Sequence, residues 1–490
     1  MVSDLPRLSA SIDDKPTAGI IHLGLGAFYR AHGAIYIAEA MAHSGGDWGI
    51  IGVSLMRSDQ RDLLKPQGFA YTAVELAPTG EISQVINVLN DVLVARENPT
   101  AVLQAMASPA IKIVSLTITE KGYCHEPSSG TLNRAHADII HDIDHGLPKS
   151  AVGFMVRALQ MRRAAGVAPF TVLCCDNLPQ NGQVVRSVVL ELARLINPKL
   201  ADWIAQNGSF PSTMVDRIVP ATSPEDIATL ADKSGYLDRS PVIHEPFRQW
   251  VIEDDFVNKE RPDFAAAGAQ MVDDVTAFER MKLRCLNGTH SSLAYLGYLA
   301  GHETIFDTVS NPDFARYCQR LWSAEIIPSL NPPEGANLPD YTRALFERYS
   351  NPAIRHLTWQ IAMDGSQKLP QRILGTIAEN LAAERASPGL VLAVAAWMRY
   401  VGALDEAGQV IDVQDPLAEL LKSLSDSGKD AVEKVDALLS LREVFPETLA
   451  INPLFQNALH QAFSSLSKRG AQACACLLYT SDAADDGLSV

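Results

Sequence analysis

Short apolar runs of strand length alternate with helical stretches through the first half of the chain, and that alternation leaves few folds open. GIIHLGLG reads as a buried strand entering a glycine turn, and AFYRAHGAIYIAEAMA as the helix that follows it. WGIIGVSL is a second strand, and FAYTAVELAPTGEISQVINVL reads as a hairpin turning at Pro78-Thr79-Gly80. AIKIVSLTIT and FTVLCC are further buried strands that end abruptly in polar residues. A long helix after DNLPQNG runs to about Asn207, and TMVDRIVP is another short strand. Strands that alternate with helices make a parallel, doubly wound α/β sheet, because each crossover helix must cover a sheet face.

From about Ala277 the pattern changes to helix almost throughout, with breaks at Asn351-Pro352, Leu369-Pro370, Pro388-Gly389 and Asn452-Pro453. The expected domains are residues 1–276 and 277–476, and a chain of 490 residues is too long for one simple core. Residues 477–490 (CLLYTSDAADDGLSV begins one residue earlier) have no amphipathic period and read as a non-native tail. The chain shows no internal repeat.

Composition excludes several classes of function. The net charge of −16 argues against nucleic acid or an anionic membrane as the main partner, although it leaves room for a locally basic pocket. The most apolar run, Leu390 to Met398, stops at Arg399, short of membrane-spanning length. An early acidic N-terminal stretch without an apolar core suggests no export, so a cytoplasmic location is expected. The seven cysteines form no metal-type pair and read as reduced, mostly buried thiols.

Gly24 and Gly26 follow a strand and open a helix, the place where a dinucleotide pyrophosphate binds. Missing side chains let the backbone approach phosphate, and the helix N-terminus at Ala27 and Phe28 favours negative charge. Tyr29 stands where the third glycine of such a turn usually lies, so this signal also fits a plain strand–turn–helix. Beyond the second strand, Asp59 can reach adenosine ribose hydroxyls, Arg57 can favour a 2′-phosphate, or both are solvated loop charges. The expected cofactor is NAD, with NADP left open.

In open parallel sheets, ligands bind beyond the carboxyl ends of the strands. Two polar strand ends fall there: TITEKGY, with Thr119 and Glu120 assigned to the cofactor, and CDNLPQNG. Asn177 in the latter either donates its amide to a substrate oxygen or caps the helix beyond Pro179. Asp216, at the tip of TMVD, is either a pocket carboxylate or a turn former.

The segment MKLRCLNGTH places Lys282, Asn287 and His290 close together where a core helix should be apolar. At about 100° per residue, Asn287 lies about 140° and His290 about 80° from Lys282, with the lysine's stem reaching the same cleft. Gly288 carries a helix cost that packing or ligand access would explain. Oxidising a secondary alcohol needs a hydride acceptor and a group that takes the hydroxyl proton. Clustered Cys/His ligands for a zinc are lacking: His141 and His145 have helical spacing, yet HADIIHDIDHG reads better as a solvated acidic helix. No tyrosine lies four residues before a lysine. What remains is a lysine base with a pKa lowered by burial and positive neighbours, and Lys282, with Arg284 nearby, fits. Asn287 and Asn177 would then stabilise the oxyanion, and His290 would orient the hydroxyl.

HLGLGAFYRAH, TITEKGY, CDNLPQNG, EPFRQWVIEDDF, MKLRCLNGTHSSLAYLGYL and WQIAMDGSQKLPQR together resemble the mannitol dehydrogenase family, whose members include mannitol 2-dehydrogenase and fructuronate reductase. The resemblance runs from about Gly19 to at least Arg372. It implies a zinc-independent NAD(P) enzyme with an N-terminal Rossmann-type sheet, a mostly α-helical C-terminal domain and the site between them. The family's catalytic lysine falls on Lys282, its asparagine and histidine on Asn287 and His290, and the asparagine of its Asp-Asn-Leu motif on Asn177. The sequence departs from the family pattern at Tyr29, often histidine, and at Cys285, often leucine. DGSQKLPQR adds Lys368 and Arg372, which read as a surface turn or, with the resemblance, as contacts for a uronate carboxylate or sugar hydroxyls. The expected substrates are linear sugar alcohols or hexuronates, with D-mannitol/D-fructose and D-mannonate/D-fructuronate the foremost pairs. No metal, nucleic acid or membrane partner is expected, and the resemblance suggests a monomer or weak dimer. A catalytically silent NAD-binding sensor or scaffold is the alternative.

Overall fold

The computed structural model describes residues 5–11, 15–126 and 130–478. They form two compact units that divide between Thr276 and Ala277. In the first unit, strands β1 (Ala18–Leu23), β2 (Gly49–Ser54), β5 (Leu89–Val94), β6 (Ile113–Leu116) and β7 (Thr171–Cys174) make a 5-stranded sheet in the order β5-β2-β1-β6-β7. Every pairing in this sheet is parallel. Alternate side chains of one strand enter opposite cores, as the two-residue pleat requires. Ile21 and Leu23 of β1 pack into the core that holds Phe154, Val188 and Leu192. Ile20 packs into the core that holds Ile35, Tyr36 and Trp250. Both faces are covered, which explains why these strands read as continuous apolar runs.

Two smaller sheets complete the unit. Strands β3 (Tyr71–Ala77) and β4 (Gly80–Ile86) form the antiparallel hairpin expected around Gly80, and β3 also pairs in parallel with β9 (Val242–His244). Strand β8 (Thr213–Asp216) lies outside the parallel sheet, contrary to what the alternation implied. It pairs antiparallel with β10 (Gln249–Glu253), which pairs with β11 (Gln270–Val272). The reason is visible at its ends: the Thr213 hydroxyl donates to Cys174 O at 2.6 Å, and Trp250 lies in register with Val215. The expected long helix to Asn207 is two helices, Asn181–Ile196 and Pro198–Asn207. Pro198 lacks the N–H that would continue the ladder, and Asn197 starts the new helix by accepting from Lys199 N at 3.1 Å.

The second unit is helical. Helix Pro388–Tyr400 is apolar on every side as far as Met398 and buried all round from Gly389 to Met398, the expected fate of such a helix. It packs between helices Thr289–Leu299 and Pro453–Arg469. Proline opens helices at Pro388 and Pro453, where its missing N–H costs nothing. Pro370 is different: it was expected to break the chain, but helix Gly365–Leu369 runs on through Pro370–Leu374 in the wider π form and into helix Gly375–Ala382. An i→i+5 ladder absorbs the proline that an α-helix interior would not tolerate. Helix Ala471–Leu477 includes Leu477, so that residue belongs to the fold, while 479–490 lie outside the described residues. No described helix is long and apolar enough to cross a membrane.

Candidate active site

The glycine turn lies at the carboxyl end of β1, beside β6. The chain winds outward from β1 through β2 to β5, then returns to build β6 and β7 on the other side, so this is the switch point where doubly wound sheets open a crevice. Gly24 has φ +89°, and a Cβ there would lie 2.1 Å from Thr117 O, so no other residue fits. Gly26 precedes helix Ala27–Ala31 with no side-chain cap, and a Cβ on it would meet only Gly24 O at 3.8 Å.

Buried polar groups brace the turn from below. Thr117 Oγ1 donates to Gly24 O at 2.9 Å and so accepts from His22 Nε2 at 2.8 Å. That leaves His22 Nδ1 to accept from Ser115 Oγ at 2.9 Å. Burial pushes His22 down to about 3, which keeps the ring neutral. Tyr29 stacks on it with centroids 3.3 Å apart and planes 4° apart. Tyr29 is therefore a core residue beneath the turn. Its ring needs Gly33 one turn on, where a Cβ would come within 2.6 Å of it.

Beyond β2, Asp59 pairs with Arg57 at 3.5 Å, both strongly exposed, so the two rival cofactor charges hold each other. Beyond β6, Thr119 takes φ +66° and Glu120 starts an exposed turn. Asp176 clamps this loop: it accepts from Ile118 N at 2.8 Å, Thr119 N at 3.3 Å and the Tyr123 hydroxyl at 2.6 Å. Burial raises its pKa, against those hydrogen bonds. Asn177, beside it, is exposed, and helix Asn181–Ile196 has Gln180, not Asn177, as its N-cap. The neighbouring amide that works structurally is Asn181, which joins Asp176 O and both backbone groups of Thr213. Asp216 is no turn former; it ends β8, buried, in register with Gln249.

In the second unit, helix Thr276–Met281 widens into a π-helix over Lys282–Gly288 before helix Thr289–Leu299. The α-helical angles expected for the polar trio do not hold here. In an i→i+5 ladder, residues five apart lie little more than one turn apart, so Asn287 is brought round toward the face of Lys282 instead of about 140° from it. Lys282 is only 7% exposed. Two more π segments, Leu321–Ile326 and Pro370–Leu374, pack against this one. Gly288 is explained by packing: a Cβ there would lie 2.7 Å from Arg372 O.

Arg284 is not the free positive neighbour of Lys282 that the sequence suggested. It binds Glu379 through two nitrogens, at 2.8 and 2.6 Å, and also Ser329 O. The positive charge that bears on the site comes from elsewhere. Burial, with the charges of Arg372, Arg348 and Lys368 and the neighbouring His356, holds His290 well below the ordinary histidine range. His356 meets the His290 ring edge-on at 4.6 Å and is itself lowered to about 4 by burial, Arg348 and Lys368. His290 Nε2 is buried without a protein partner. Arg372 Nη1 donates to Ser291 Oγ at 3.0 Å, and Lys368 Nζ to Met363 O at 2.5 Å. Thus Lys368 and Arg372 do gather with His290, joined by Arg348 and His356. Those two lie in RYSNPAIRHL, where no local pattern marks them.

His141 on helix Ala137–Asp144 and His145, the residue that caps its C-terminus, stack 4.2 Å apart. That helix is not simply solvated: Asp142 is buried and accepts from Lys149 N, Ser150 N and the Ser150 hydroxyl. Among the described residues no three His, Cys, Asp or Glu side chains gather as metal ligands.

Comparison with known proteins agrees in both units. Residues 18–265 match the mannitol dehydrogenase Rossmann domain, and residues 274–467 match the mannitol dehydrogenase C-terminal domain. The chain is 46% identical over 482 residues to a D-mannonate oxidoreductase of Escherichia coli (strain K12), covering 97% of this chain and 99% of the relative. It is 40% identical to a mannitol 2-dehydrogenase of Neosartorya fischeri, covering 92% of this chain and 91% of that one. It is also similar in structure to Pseudomonas fluorescens mannitol 2-dehydrogenase, solved as a ternary complex with NAD and D-mannitol. The TM-score is 0.87 at 39% identity, covering 97% of this chain and 98% of the other.

Proposed function

The chain belongs to the mannitol dehydrogenase family of oxidoreductases, and from that premise we propose that it exchanges a hydride between NAD(H) and a linear sugar acid, D-mannonate/D-fructuronate being the foremost pair. The sugar-acid reading is carried by Arg372, whose Nη1 donates to Ser291 Oγ at 3.0 Å beside His290, together with the charges of Arg348 and Lys368 that also bear on that histidine, in a chain of net charge −16. Such a cluster suits a carboxylate better than a neutral hydroxyl. The 46% identity to a D-mannonate oxidoreductase points the same way. The second reading, D-mannitol/D-fructose, is favoured by the likeness to mannitol 2-dehydrogenases. Nothing in the site favours a silent sensor or scaffold.

The glycine turn fits a dinucleotide, because Gly24 makes the sharp turn at φ +89° and Gly26 leaves the start of its helix open. Gly24, Gly26, Ala27 and Phe28 would hold the pyrophosphate, Asp59 the adenosine ribose, and Thr119 and Glu120 the loop beside them. When bound, NAD supplies the hydride acceptor.

The protein's own residues handle the proton. Lys282, as the neutral amine, takes the proton from the substrate hydroxyl during oxidation and returns it during reduction. Asn287 and Asn177 donate amide hydrogens to the developing alkoxide. His290, kept neutral by burial and the cations near it, orients the hydroxyl through its unpartnered Nε2. Lys368, Arg372 and Arg348 hold the carboxylate, and Asp216 is a candidate partner for a substrate hydroxyl. The test is nicotinamide absorbance with D-fructuronate, D-fructose, D-mannonate and D-mannitol. Turnover with the acids above that with the neutral sugars is expected; no turnover with any of them rejects the reading.

A further inference from the structure

A π-helix needs an external cause, because the wide ladder is less favourable than the α form and rarely extends beyond a turn. Here the cause is two side chains from distant parts of the second unit. Trp322 Nε1 donates to Cys285 O at 2.8 Å, and the Tyr349 hydroxyl donates to Leu286 O at 3.0 Å. Both donors are buried, so their bonds have no competition from water. The Tyr349 ring also stands between two others, stacked on Trp322 at 6.0 Å and on His290 at 5.2 Å, each with planes 22° apart. One phenol thus fixes a carbonyl of the wide turn and backs the histidine.

We propose that Tyr349 and Trp322 are positioning residues for hydride exchange: they hold the turn Lys282–Gly288 in its π form, and so keep Lys282 and Asn287 on one face with His290 braced beside them. The inference rests on the proposed roles of Lys282, Asn287 and His290. Without these two donors the turn relaxes toward an α ladder, in which residues five apart diverge by about 140°.

The experiment compares Tyr349→Phe and Trp322→Phe with a control, Tyr236→Phe. The control also loses a partly buried hydroxyl contact, between Tyr236 and Thr72 Oγ1 at 3.1 Å, in the first unit. In the two test variants kcat should fall about tenfold to a hundredfold with the nicotinamide Kd unchanged, and the midpoint of the pH–rate profile should move. Amide exchange in peptides covering residues 282–291 should quicken in both. The control should do neither, whatever its Tm. Unchanged exchange and pH profile in Tyr349→Phe and Trp322→Phe, or changes no larger than in the control, would overturn the proposal. If Tyr349→Phe does not fold, Trp322→Phe carries the same readouts. Absence of turnover in the unmodified protein would count against the proposed function instead, and exchange would still decide whether the two donors hold the turn.

Discussion

Gly288 and Arg372 approach each other backbone to backbone, so closely that a single methyl on Gly288 would sit 2.7 Å from the Arg372 carbonyl oxygen. The contact locks the wide turn that carries Lys282 to the π segment that carries Arg372. Gly288→Ala should therefore cost about 1–3 kcal/mol of stability, the usual range for overpacking. On the proposed function it should also lower kcat/KM more than tenfold, because Lys282 and Arg372, the proposed base and carboxylate-binding cation, are forced apart. Urea unfolding and steady-state kinetics on the same preparation check both.

Lys282→Ala should abolish turnover in both directions while leaving the nicotinamide Kd within about twofold, since the glycine turn is in the other unit. In the unsubstituted protein, alcohol oxidation should rise with pH and ketone reduction should fall, because the proposed oxidation releases a proton and the reduction consumes one. Single-turnover rates across pH 6–10 give the profile. A flat one would exclude Lys282 as the base.

Buried histidines should make the protein sensitive to mild acid. His22 is held at about 3, His356 and His244 at about 4, and His290 well below its ordinary value, chiefly by burial. The unfolded chain takes up these protons near pH 6.5, before the folded one does. The contribution to stability is therefore complete above that pH and lost as pH falls from about 6.5 toward 4. Each ring contributes about 1 kcal/mol per pH unit in that window. Urea midpoints at pH 7.5, 6.5 and 5.5 should fall accordingly, and His356→Gln should flatten part of the slope.

What was legible in the sequence was whatever a local pattern encodes. The strand GIIHL with its glycine turn, the hairpin at Gly80 and the change to helix after Thr276 all have such patterns. The π-helix does not: MKLRCLNGTH would suit an α-helix equally, and its cause lies 37 and 63 residues further on, at Trp322 and Tyr349. Asp176 went unread for a similar reason. Nothing in CDNLPQNG marks its role, and only its distant partners Ile118 and Tyr123 reveal the clamp. The ion pair of Arg284 was not legible because its partner, Glu379, is 95 residues away. Tyr29 read as a defect in a glycine motif, whereas His22 beneath it makes the ring part of the foundation.

A π turn is what an α-helix becomes when one residue is inserted and the helix beyond it keeps its old phase. Phe278 and Met281 before the turn, and Leu293 and Leu296 after it, are all buried. The extra residue is confined to the stretch between them. A gene can gain or lose such a unit in one codon step and leave the core on either side in place. By the same token, deleting a single codon inside the turn should undo the placement on which the proposed roles of Lys282 and Asn287 rest, and spare the helix.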